Sequence, residues 1–79
     1  MLDSTKKETF NYLLLVIDYL KQKKEAAFYE MEQTLSRRLN KEETKRRLSR
    51  QEIRNAIYKL MDLGIIRVND KLKFELTPN

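Results

Sequence analysis

Between Ser49 and Lys59 lies a run of polar side chains whose types and spacing suit one kind of chemistry. Projected at ~100° per residue, Gln51, Arg54, Asn55 and Tyr58 fall on one contiguous stripe of a helix, with Arg50 and Lys59 flanking it. The stripe contains no acid, whereas a merely solvated face more often carries Glu–Lys pairs four residues apart. Arg pairs bidentately with guanine, and Asn or Gln with adenine, so this set matches base edges in a duplex major groove. A solvated surface and a protein contact are the other readings. Tyr58 could instead cover the edge of the core.

A helix must hold that stripe in place. Ser49 followed by Glu52 has the form of a capping box, and Gly64 stands where a helix ends in left-handed geometry. The expected helix therefore spans 49–63, with Ile53, Ala56, Ile57, Leu60 and Met61 facing the core at i, i+3, i+4, i+7 and i+8. Starting it at Ser49 would also aim free backbone N–H groups at the space before it, which favours a phosphate.

Upstream there is neither glycine nor proline, so helix should dominate and caps must set the boundaries. Thr5 with Glu8 opens helix 1, spanning about 5–22 and closed by the lysines of KQKK at 21–24. Its residues Phe10, Leu13, Leu14, Ile17 and Leu20 form a core stripe. A second apolar stripe, Tyr12, Leu15, Val16 and Tyr19, is either a homodimer surface or is buried under helix 2. Helix 2 spans about 25–39, with Phe28, Met31, Leu35 and Leu39 on one face. The polar segment 40–48 contains Asn40 and Glu43 in cap spacing. It is a short extra helix, a continuation of helix 2 or a basic loop. After Gly64 the period changes to two, with Ile66 and Val68, then Leu72, Phe74 and Leu76, alternating with polar residues. That predicts a hairpin over 65–77, turning at Asn69-Asp70-Lys71, residues that tolerate positive φ.

Composition narrows the classes. A chain of 79 residues is one small domain with a thin stability margin. It has no Cys and no His, which removes disulfides, soft metal ligands and most nucleophile–base arrangements. A single glycine cannot build a phosphate-cradling loop. No enzyme, metal, cofactor or small-molecule ligand is expected. LLLVIDYL, residues 13–20, is far short of the ~20 apolar residues of a membrane span. No signal peptide is recognisable, so a soluble cytoplasmic protein is expected, without a membrane partner.

Net charge is +5 and unevenly placed. Residues 35–59 hold nine basic and three acidic side chains, net +6, while 1–34 are −1 and 60–79 neutral. A polyanion is the implied partner. Arg37, Arg38, Lys41, Lys45, Arg46 and Arg47 would supply attraction to a nucleic-acid backbone, which positions a protein without reading sequence.

The order helix, helix, helix, hairpin resembles a winged helix-turn-helix domain, mainly α with a small two-stranded wing. Locally, LSRQEIRNAIYKLMDLGIIRV is similar to the recognition helix and first wing strand of GntR-type and MarR-type prokaryotic regulators. Ser49-Arg50, Ile53, Arg54, Ala56-Ile57, Leu60 and Gly64-Ile65-Ile66 stand in the places that recur there. The resemblance implies a small transcriptional regulator binding double-stranded DNA, probing the major groove with the third helix. It also implies a wing whose Arg67, Lys71 and Lys73 reach a minor groove or flanking phosphates. Some winged helices bind only protein, so a protein-interaction module is the alternative.

Overall fold

With no helix breaker before residue 64, the chain stays helical wherever its apolar faces find partners. The computed structural model describes residues 2–40 and 42–78, with side chains described from Asn11 onward apart from Glu43. Three helices, α1 (Leu2–Lys23), α2 (Phe28–Leu39) and α3 (Glu43–Asp62), are joined by three short strands, β1 (Glu25–Ala26), β2 (Ile66–Val68) and β3 (Phe74–Leu76). The strands form one antiparallel sheet in the order β1-β3-β2. The protein is thus mainly α with a small three-stranded sheet.

α1 begins at Leu2, so Thr5 lies inside it rather than at its end. The side chains of Thr5, Glu8 and Phe10 fall outside the described residues. Burial along α1 follows neither of the two expected stripes. Val16, Tyr19 and Leu20 are fully buried, while Tyr12, Leu13 and Ile17 pack against them and Leu14 is 44% exposed. The core stripe is centred between the two expected ones. Val16 and Tyr19 are therefore interior and not part of a dimer surface; of that set only Tyr12 and Leu15 keep partial exposure. α2 is the reason. The Tyr19 hydroxyl donates to Glu30 Oε2 at 2.6 Å, and the Arg38 guanidinium lies 5.5 Å over its ring. Burial, then the bond to Glu30, raises the Tyr19 pKa above its ordinary value.

Lys24 ends α1 with φ 75°, the left-handed conformation that glycine usually supplies. Its N–H still reaches Leu20 O at 2.9 Å, and the turn sends Glu25 and Ala26 out as a strand. Helix 2 was expected to begin at residue 25. Those two residues instead form β1, in register with Glu75 and Phe74 of β3.

The start of α3 differs more. Segment 40–48 is none of the three arrangements anticipated, because from Glu43 onward it is the first part of α3 itself. ETKRRL consists mostly of good helix formers with nothing to stop propagation. Ser49 is consequently not an N-cap. It sits one turn before Ile53 on the core stripe, 3% exposed, and its Oγ accepts a hydrogen bond from Asn40 Nδ2. Asn40 closes α2 instead, its N–H bonded to Ser36 O at 3.0 Å. This leaves the Ser49–Glu52 capping box without a role; Asn40 is a C-cap rather than an N-cap, and the Glu43 side chain lies outside the described residues. The core stripe of α3 is as expected at Ile53, Ala56, Ile57 and Leu60, whereas Met61 is 38% exposed.

At the other end Gly64 has φ 76°, with its N–H on Met61 O at 3.0 Å and the Ile65 N–H on Leu60 O at 2.9 Å. That bond pair is a Schellman cap. The hairpin pairs Ile66 with Leu76, Arg67 with Glu75 and Val68 with Phe74. In its loop the positive φ belongs to Leu72 (63°), not to Asn69, Asp70 or Lys71. The Leu72 N–H meets Asn69 O at 3.0 Å, and Asn69 Oδ1 accepts the Lys71 and Lys73 amides at 2.9 and 3.1 Å. A turn closed this way needs its left-handed residue at the last loop position.

Candidate functional site

α2 and α3 form the most extensively packed pair of elements, and an open groove of about 580 Å³ runs along their seam. α3 contributes Arg46, Arg50 and Arg54, spaced i, i+4 and i+8, which one helix face must present together. From α2 come Tyr29, Gln33 and Arg37, at the same spacing, and Glu32. Among the described residues of the lining, four are arginines and one, Glu32, is a carboxylate.

That carboxylate shapes the site. Glu32 is 5% exposed and lies on the apolar face of α2 beside Phe28, Met31 and Leu35. Arg54 Nε donates to its Oε2 at 2.8 Å, and Arg54 Nη2 to its Oε1 at 3.4 Å. Arg54 keeps 43% of its side chain exposed, and the hydrogen bond to Glu32 followed by the Glu32 charge raises its pKa further. Arg54 is thus not the unattached base reader expected from its spacing. One edge of its guanidinium is already used, since an unpaired buried carboxylate would be costly.

The rest of the acid-free stripe is also partnered within the chain. Gln51 Nε2 donates to Asn55 Oδ1 at 3.2 Å, which leaves the Gln51 carbonyl and Asn55 amino groups outward. Tyr58 stacks on Phe28 with centroids 5.8 Å apart, and Phe28 meets Phe74 at the same distance, so Tyr58 does extend the core edge. It is nevertheless 51% exposed. Arg50 is half-buried in the groove; Gln51, Asn55 and Lys59 are exposed. Ser49, being buried, is removed from any contact surface.

The expected backbone cations divide. Arg37 and Arg46 line the groove, Arg47 is exposed on α3, and Lys45 pairs with Glu42 at 3.8 Å. Arg38 is committed to the Tyr19 ring. Lys41 lies outside the described residues.

On the hairpin every expected cation faces an acid. Arg67 bonds Glu75 at 2.8 Å, and Lys71 and Lys73 approach Glu25 at 3.4 and 4.0 Å. Asn69 Nδ2 bridges Glu25 Oε1 (2.7 Å) and Glu75 Oε1 (3.0 Å), holding together two acids that the strand register sets opposite each other. Asn69 first, then Arg67, keeps the Glu75 pKa below the usual carboxylate value.

Glu32, Tyr29 and Gln33 were missed from sequence. Glu32 did leave a signal: it is an acid inside an apolar stripe, with no basic residue at i±3 or i±4 to neutralise it. Its partner had to come from another element. Among the described residues no helix is long and apolar enough to cross a membrane, and no cluster of acids could hold a metal ion. No protein-family model, curated protein or solved structure matches the chain.

Proposed function

We propose that the protein is a winged-helix domain that binds double-stranded DNA and acts as a small transcriptional regulator. The observation carrying this reading is the α2–α3 groove, whose charge exceeds what folding requires. Glu32 occupies part of one arginine, and among the described residues no other acid lines the groove beside Arg37 and Arg50. Such an open, arginine-lined seam suits a phosphodiester strand, whose oxygens accept the forked N–H donors of arginine. Next to it, α3 presents Gln51, Arg54 and Asn55 to base edges. The helix order, and a hairpin that follows α3 through Gly64, support the winged-helix layout. The hairpin cations are engaged with Glu25 and Glu75, so in this reading the wing contributes little to phosphate attraction.

Self-association through the outer side of α1 belongs to the same proposal. Tyr12 and Leu15 of α1 and Leu39 of α2 border a cleft of about 280 Å³ that a second copy would fill. Two α3 helices would then address a pseudo-palindromic site, and sedimentation of the pure protein checks the stoichiometry. The DNA reading is tested by selecting binders from random duplex DNA at two salt concentrations. Recovery of a sequence bound more weakly at higher salt supports it. If nothing is bound even at low salt, a protein-interaction module replaces it.

A further inference from the structure

Resting on the DNA reading, we infer that Glu32 is a positioning residue that aims Arg54 at a guanine. The Arg54 guanidinium is planar, and its Nε–Nη2 edge is held by the Glu32 carboxylate at 2.8 and 3.4 Å. The Nη1–Nη2 edge is the one the carboxylate does not span, and the Arg54 side chain as a whole remains 43% exposed. Holding one edge of a planar fork fixes the direction of the other, so a long and flexible side chain becomes a preset donor pair. That pair matches the O6 and N7 acceptors of guanine in the major groove.

Arg54 does not leave Glu32 on binding. The carboxylate is 5% exposed, and Arg54 supplies all of its described hydrogen bonds, so departure would strand a buried charge. The neighbouring arginines differ: Arg37 and Arg50 have no acid within bonding distance among the described residues and are suited to phosphate. The seam therefore divides its labour, with one arginine tethered for reading and others available for attraction.

The experiment compares wild type with Glu32→Gln on the duplex recovered by selection, and on versions in which each G·C pair is exchanged in turn. Glutamine keeps the size of the side chain and one acceptor but removes the charge that grips Arg54. We expect preference for guanine at one position to fall roughly tenfold, as for loss of a well-formed bidentate contact. Affinity for unrelated duplex should hold or rise, because the groove loses the one acid among its described lining residues. Melting temperatures show that both proteins are folded at the assay temperature. In the free protein the Arg54 Nε–H should also exchange slowly with water, and it should stay protected from exchange when DNA is added. This readout needs no variant.

Unchanged guanine preference in Glu32→Gln, or an Arg54 Nε–H that loses its protection on DNA, overturns the inference while leaving DNA binding standing. An equal change of affinity for all sequences assigns Arg54 to phosphate and also overturns it. Failure of the wild type to bind any duplex removes the DNA reading itself.

Discussion

The α2–α3 seam and the three-stranded sheet both set arginines or lysines against glutamates, with different results. In the sheet, Arg67, Lys71 and Lys73 face Glu25 and Glu75, and Asn69 bridges the two acids, so charge is nearly balanced. Those pairs tie β1 and the hairpin into one unit. In the seam, Arg37 and Arg50 have no acid partner among the described residues, and the one described carboxylate of the lining, Glu32, is also the only buried one described. A cation matched by an acid is accounted for by the fold. Surplus cations, gathered on facing sides of two helices, call for a ligand.

Breaking each pair from its exposed side should show the largest contrast. Arg54→Met leaves Glu32 buried and unpaired, and thermal unfolding should fall by several degrees or more. Glu32→Gln leaves Arg54 free to reach water, and should lower it less, because the penalty is set by the group that stays buried. Equal losses would mean that Glu32 finds water or another donor when Arg54 is gone.

Asn69→Ala comes next. It removes the bridge between Glu25 and Glu75 and the acceptor for two loop amides, and should cost about 1–2 kcal/mol in chemical denaturation. The same network predicts acid sensitivity. The Glu75 pKa lies below its unfolded value of 4.5, so the contribution is complete above that pH. It is lost as pH falls through the lower folded value, and Glu75→Gln should flatten this part of a stability–pH curve.

Smaller again are the effects at Arg37 and Arg50, which have no acid partner among the described residues. Arg37→Ala or Arg50→Ala should leave the melting temperature nearly unchanged while lowering the salt slope of duplex binding by about one unit each. Lys71→Ala in the hairpin should leave that slope unaltered. A slope change for Lys71 as large as for Arg50 would erase the distinction between the two regions.

The smallest effect concerns Leu72, 80% exposed at φ 63° in the hairpin loop. Leu72→Gly should raise stability by up to ~1 kcal/mol, because the left-handed strain disappears and no packing is lost.

What could be read from the chain depended on whether a signal was local. The Gly64 stop, the aliphatic stripe of α3 up to Leu60 and the hairpin rest on short-range rules and are found near where those rules place them, whereas Met61 is partly exposed and Leu72 lies in the loop rather than in a strand. Ser49 misled because the same Ser-x-x-Glu spacing fits a cap and the interior of a longer helix; only tertiary contact with Asn40 distinguishes them. β1 is two residues long and exists because β3 lies beside it, which no periodicity records. The sequence of α1 carries two apolar stripes, the second being Tyr12, Leu15, Val16 and Tyr19, more than a small monomer easily covers. Val16 and Tyr19 are buried, and α2 covers Tyr19, its Glu30 and Arg38 satisfying the hydroxyl and ring. In the site, the polar stripe on α3 was legible. The groove was not, since half of its lining belongs to another helix.

The central claim, that surplus charge in the α2–α3 seam meets a DNA backbone, is tested most directly by duplex affinity as a function of salt. For wild type, log affinity should fall linearly with log salt, with a slope of about −3 or steeper, and with one unit less in Arg37→Ala and in Arg50→Ala. Binding that is absent at low salt, or a slope near zero that these substitutions leave unchanged, would contradict the account.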